Sequence, residues 1–176
     1  VGYDSKIILK DITLKIKEKE HWAILGANGS GKSTLMKLIQ SEIHPRKTNP
    51  YKKEILGKSN YSIFELKKEL GIITNDLHNY FAMNGSFLTG YIAVLSGHYS
   101  SIGVFKHQDF SESQHEKAKE TMKYLEIEHL ANKYVQEMST GELRKCIVAR
   151  ALIHDPKAFI LDEPTVGLDI KAQINF

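Results

Sequence analysis

The 176-residue sequence is short of several things, and each shortage excludes something. It has one cysteine, Cys146, so no intrachain disulfide can form and a reducing compartment suits it. It has four prolines, twelve glycines and no repeated short unit, which sets aside collagen-like and low-complexity classes. No apolar run approaches the roughly 18–20 residues of a membrane span, and no signal-peptide pattern opens it. A membrane role is therefore expected to come through a partner. Charge of one sign is also missing: 24 Lys and Arg against 21 Asp and Glu leave +3. That balance argues against nucleic acid or an anionic membrane as the main partner.

What is present is ordinary globular material, 41% hydrophobic and 26% charged. The length suits roughly one domain of about 150 residues. Residues 6–17 alternate, with Ile12, Leu14 and Ile16 on one face and Thr13, Lys15 and Lys17 on the other. That pattern predicts a half-buried, antiparallel strand. Residues 18–20 read as a turn, and the apolar run His21–Leu25 as a buried strand. A helix is predicted from Lys32 through Leu35, Met36, Leu38 and Ile39, and a short strand near Glu54–Leu56 inside a basic loop. Ile63–Leu70 predicts a helix, Gly71–Thr74 a strand, and Thr89–Ser96 another helix; residues 79–110 are otherwise weakly patterned. Ser111–Gln114 and Ser139–Glu142 both fit capping boxes at helix starts. The second helix, with Leu143, Ile147, Val148, Ala151 and Leu152, should stop before Pro156. Ala158–Leu161 is a final apolar strand. Strands alternating with helices predict an α/β core.

Two motifs carry chemistry. Gly26-Ala27-Asn28-Gly29-Ser30-Gly31-Lys32-Ser33, followed by Thr34, fits G-x-x-x-x-G-K-[ST]. Its glycines let the backbone turn tightly so that N–H groups face phosphate oxygens. Lys32 adds a point charge, the Ser33 hydroxyl can ligate Mg²⁺, and the following helix aims its positive end at the same anions. The second motif is Asp162-Glu163 at the end of the final apolar strand. Strand C-termini line the ligand crevice of a parallel sheet. Asp162 is suited to support Mg²⁺, and Glu163 to polarise an attacking water. Taken alone, Asp-Glu-Pro is equally an ordinary solvated turn; the phosphate loop upstream favours the functional reading.

Further segments complete a pattern. Met138-Ser139-Thr140-Gly141-Glu142 heads a helix 23 residues before Asp162 when counted from Ser139. It resembles the LSGGQ signature of the ABC ATPases. Asp162-Glu-Pro-Thr-Val-Gly-Leu-Asp169 is similar to their Walker B segment running into the D-loop, and Tyr3 is placed like their adenine-stacking aromatic. The resemblance spans the whole chain. It implies a P-loop NTPase core with a mixed sheet, an N-terminal antiparallel layer and a helical subdomain. It also implies Mg²⁺-dependent ATP hydrolysis in a head-to-tail sandwich with a second ABC ATPase domain, as a homodimer or in tandem. Tyr3, Gly26–Thr34, Asp162 and Glu163 would then serve one ATP, with Lys32 and Glu163 catalytic. Ser139, Gly141 and Glu142, with Asp169, would face the nucleotide across the sandwich. The expected division is a catalytic core at 1–75 and 154–176 and a helical subdomain at about 76–153. One domain is expected, incomplete at both ends: Val1 is not an initiator Met, and the family's switch histidine would fall beyond Phe176.

There are departures. The family's Q-loop glutamine should fall near residue 75, where Asn75 or Asp76 stands in, and Asn75 is the expected metal-side residue. Glu142 replaces the signature glutamine and is unfavourable near a γ-phosphate unless turned away as a capping-box partner. Ser62–Gly71 and Val94–Gly103 are similar to a subgroup labelled molybdate-transport or photorepair ATPase components. The task expected is the motor of a metal-ion or molybdate-type transporter with a permease docked near residues 79–105. The alternatives are a soluble ATPase in nucleic-acid repair or translation, and a nucleotide-gated module with little hydrolysis. The location expected is cytoplasmic, or peripheral at the inner face of the membrane.

Several residues have blander readings. Arg46, Lys47, Lys52 and Lys53 read as a solvated basic loop. His107 and His115 lack metal-ligand spacing. Tyr91, Tyr99 and Phe105 fit either a partner groove or core packing. His154 reads as a helix C-cap or surface residue, and Cys146 as inert.

Overall fold

A computed structural model describes residues 1–3, 6–45 and 50–164, without the side chains of residues 2, 3 and 6. These residues fall into two units, one from Val1 to Ile63 and one that begins at Phe64.

The first unit opens with β1 (Gly2–Tyr3) and β2 (Lys6–Ile7), antiparallel, with Gly2 opposite Ile7 and Tyr3 opposite Lys6. The Val1 carbonyl then accepts from the Ile8 and Leu9 amides at 2.9 and 3.0 Å. The strand predicted over 6–17 stops there. Asp11 takes a positive φ of 50°, a left-handed conformation that breaks an extended run. Ile12, Leu14 and Ile16 are exposed, and so are Trp22 and Leu25 of the predicted buried strand, Leu25 at 92%. Alternation states which face a sheet could cover; it does not supply the neighbouring strand and the covering layer. The turn after Lys17 does form. Glu20 N donates to Lys17 O, and the Glu20 carboxylate accepts from Lys17 N and Trp22 Nε1.

α1 (Lys32–Ile39) follows the glycine-rich loop as predicted, though its apolar stripe is only half-buried. Its C-terminal end is tied down by Lys53, which donates to Leu38 O and, at 2.7 Å, to Ser41 Oγ. Ser41 in turn meets Tyr61 Oη at 3.0 Å. Lys53 is therefore a helix-end cation rather than a solvated loop residue. Arg46 and Lys47 lie outside the described residues. The short strand expected at 54–56 is a single bridge, Ile55 with Lys58, closed by Leu56 and Gly57 at φ 51° and 76°, as a tight hairpin turn requires.

The second unit begins within α2 (Ile63–Glu69) and holds β3 (Leu70–Thr74) and β4 (Ala158–Asp162). These two strands pair in parallel, Leu70 with Ala158 through to Thr74 with Asp162. Between them run α3 (Asn75–Asn84), α4 (Gly90–Leu95), α5 (Glu112–Tyr124) and α6 (Thr140–Leu152). Among the described residues the hydrogen-bonded ladders are the antiparallel β1–β2 pair and the parallel β3–β4 pair, and helices alternating with these strands give the expected α/β fold.

Both predicted capping boxes are present, at Ser111–Gln114 and Ser139–Glu142. α6 is the hub. Cys146 and Ala149 pack with Val94, Met122 and Leu130, while Leu143, Ile147 and Ala151 pack with Ile73, Phe81 and Ala93. Gly97, in the 3-10 turn after α4, permits a close approach: a Cβ there would lie 2.4 Å from Arg150 O. Tyr91 packs against this core, its hydroxyl 2.6 Å from His115 Nδ1. Tyr99 and Phe105 stay exposed, Tyr99 edge-on to Phe110. His154 is neither cap nor free surface: Ile153 is the α6 C-cap, and the half-buried His154 donates from Nε2 to Leu70 O of β3 at 3.4 Å.

Candidate nucleotide site

The phosphate loop has the backbone its sequence requires. Gly29 and Gly31 adopt φ of 79° and 95°, conformations that L side chains rarely take. Gly31 is the α1 N-cap and offers no side chain to the helix amides, and the first turn contains no acid. The N–H groups there keep their partial positive charge for an anion. Ile8 and Leu9 pack beneath, so that a Cβ on Gly31 would meet them at 3.2 and 3.0 Å. Lys32 Nζ donates to the carbonyls of Gly26 and Ala27 at 2.8 and 3.0 Å. The ammonium is thus held at the loop, and Ser33 is exposed beside it. The loop holds backbone donors, a lysine and a hydroxyl, the donor set a nucleotide phosphate takes.

The carboxylates are positioned by strand register. Thr74 and Asp162 are partners in the parallel ladder, so Asn75 and Glu163 both emerge one residue past adjacent strand ends, about 4.8 Å apart in the pairing direction. Asn75 Nδ2 donates to Glu163 Oε2 at 3.1 Å, and Arg144 Nη2 of α6 donates to Asn75 Oδ1 at 2.7 Å. The one side-chain oxygen of Asn75, the expected metal-side residue, thus faces a guanidinium. Glu163 itself has φ 49°, a left-handed conformation costing about 1–2 kcal/mol for a residue with a Cβ. Such outliers concentrate at functional sites.

At the head of α6, Ser139 Oγ accepts from Glu142 N at 3.3 Å. The Glu142 carboxylate accepts from Ser139 N at 2.7 Å and from Lys133 Nζ at 2.8 and 2.9 Å. Lys133 first, then the Ser139 amide, lower its pKa to about 2. The acid that replaces the signature glutamine is therefore turned back and neutralised. The exposed Ser139 and half-buried Gly141 remain at the helix head. The side chain of Tyr3 and the whole of Asp169 lie outside the described residues. The sequence did not single out Lys133, Arg144 or Thr74, whose Oγ1 caps α3 by accepting from Leu77 N. Arg144 had a signal: it shares the i, i+3, i+7 stripe of Ile147 and Ala151.

Residues 9–166 match a family model described as "ABC transporter". The ABC transporter ATP-binding protein MJ0089 of Methanocaldococcus jannaschii is 35% identical over 173 residues, covering 98% of this chain and 64% of its own length. The ABC transporter ATP-binding protein ModF of Escherichia coli is 31% identical over 175 residues, 96% of this chain and 34% of ModF. This chain therefore spans less than two thirds of either relative. Among solved structures, the dimeric ATP-binding cassette MJ0796, in a post-hydrolysis state bound to ADP and Pi, superposes with a TM-score of 0.68 at 27% identity. That superposition covers 94% of this chain and 69% of MJ0796.

Proposed function

Because this chain belongs to the ABC transporter family, as an ATP-binding cassette of the P-loop NTPase fold, we propose that it hydrolyses ATP as the motor domain of a transporter. The observation that carries this reading is the pairing of Thr74 with Asp162, which brings Asn75 and Glu163 together at the C-terminal ends of two parallel strands. In this reading the amides from Gly29 to Thr34 and the Lys32 ammonium bind the phosphates of ATP. Ser33 and Asp162 supply oxygen ligands of the hard type that Mg²⁺ takes, one or two from the protein beside those of the phosphates. When bound, Mg²⁺ would neutralise charge developing on the phosphate oxygens. Glu163 accepts the proton of the attacking water as general base. Ser139 and Gly141, on an α6 head where Lys133 balances the charge of Glu142, face the γ-phosphate held by a second ATPase domain in a head-to-tail sandwich. Tyr3 stacks on adenine, and Asp169 belongs to the domain interface. Residues 1–75 and 154–176 form the catalytic core, and about 76–153 the helical subdomain.

The test is Glu163→Gln in the full-length protein. Phosphate release should fall by about a hundredfold or more, the scale of a lost general base, while a fluorescent ATP analogue still binds and the protein dimerises with ATP in sedimentation. Phosphate release at the parent rate would sink the base role.

For the coupled task, a transporter that moves a metal ion or an oxyanion such as molybdate is the reading we favour over a soluble repair or translation ATPase. It is supported by Tyr80, Met83 and Phe87, three large apolar residues within the expected permease-facing stretch, exposed at 52, 82 and 86%. None of the described helices is long and apolar enough to cross a membrane. In this reading the domain works on the cytoplasmic side, at the inner face of the membrane, through that permease.

A further inference from the structure

The Arg144–Asn75–Glu163 chain runs from a buried guanidinium to an exposed carboxylate and has a direction built into it. A guanidinium has five N–H donors and no acceptor, whereas an Asn side chain ends in one oxygen and one NH₂. Arg144 is 1% exposed and reaches Asn75 Oδ1 from the second turn of α6. With the oxygen so engaged, the NH₂ must point the other way, and it points at Glu163 Oε2. Without Arg144 the amide could turn over and set its oxygen against the carboxylate, where two acceptors repel.

The same two helices meet one turn further along α3. His78, three residues after Asn75, is buried there, and burial first, then the charge of the nearby Arg144 of α6, lowers its pKa. The Arg144–Asn75 hydrogen bond therefore ties α3 to the signature end of α6, and it continues to Glu163. Glu163 keeps a left-handed φ of 49°, the kind of backbone outlier that persists where the surrounding structure holds it.

We propose that Arg144 is a positioning residue for hydrolysis: by fixing which way round the Asn75 amide lies, it holds the Glu163 carboxylate and links its position to that of the signature helix. The assignment rests on the proposed base role of Glu163. It also gives the Q-loop departure a use. Asn is too short for the task inferred for the family's glutamine, and here it serves as an adaptor between an arginine and the base.

A double-mutant cycle on ATP turnover in the full-length protein tests this. Arg144→Met, which keeps the bulk and removes the donors, should lower kcat about tenfold, the scale of one hydrogen bond to a charged group, with KM and the affinity for a fluorescent ATP analogue unchanged. Arg144→Lys, which retains a single donor without the planar fork, should recover to within about threefold of the parent. In an Asn75→Ala background neither change should have a further effect, because the intermediary is gone. Equal losses in both backgrounds would overturn the proposal and make Arg144 a packing residue. Should Arg144→Met not fold, the cycle stands on Arg144→Lys, whose loss must likewise vanish with Asn75→Ala. Turnover lost in Glu163→Gln but untouched by Arg144→Met overturns the Arg144 assignment alone. Turnover retained in Glu163→Gln overturns both.

Discussion

Glu142 illustrates how a single side chain can have its charge removed from play without being removed itself. Its folded pKa of about 2 lies below the ordinary 4.5, so the ionised form is the one the fold favours. The stability that this contributes is fully present above about pH 4.5 and is lost as pH falls towards about 2. In Glu142→Gln the capping box survives, since glutamine also serves at that position, and the ion pair with Lys133 goes. Thermal unfolding should show the variant less stable at neutral pH by at most about 1 kcal/mol, the two curves converging near pH 2. A gap that persists unchanged at pH 2 would rule the ion pair out as its source. The capping-box role of Glu142 is legible from a spacing of three residues. Its partner Lys133 is not, because the two meet across the turn that precedes α6. The same holds for Asn75 and Arg144, 69 residues apart: their residue types suggest neighbours, but only the packing of α3 on α6 makes them so.

At the scale of elements, the sequence is most legible where the signal is local. A cap hydroxyl, an acceptor three residues on and an apolar stripe specify α5 and α6 almost completely, and β4 follows from a compact apolar run ending in two acids. α3 is less visible, because Asn75, Asp76, His78 and Asn79 dilute its stripe and its cap, Thr74, also closes a strand. Strands of the first unit are the least secure. A strand is completed by partners distant in sequence, and alternation over 12–16 does not name them. The phosphate loop is the opposite case: glycine spacing, lysine and helix start are contiguous, and the observed φ angles follow from them.

For the whole molecule, the exposed Tyr80, Met83 and Phe87 bear on the proposed permease partner. Met83→Glu with Phe87→Glu should leave ATP turnover of the isolated full-length protein within about twofold, since surface substitutions are usually near neutral. The same pair should abolish co-purification with a membrane-embedded subunit. Undiminished co-purification would place the docking surface elsewhere. The core of the second unit carries one more property. Cys146 is this chain's one cysteine, lies fully buried in the cluster that α6 shares with α4 and α5, and has its thiol pKa pushed by burial up to about 12. Alkylating reagents need a thiolate within reach, and neither condition is met until the cluster opens. The thiol is therefore a clock. With N-ethylmaleimide in excess, peptide-level mass spectrometry should find Cys146 labelled on the order of a thousandfold more slowly in the native protein than in denaturant. That ratio measures how rarely the hub helix comes loose; labelling as fast as in denaturant would mean that the cluster does not hold.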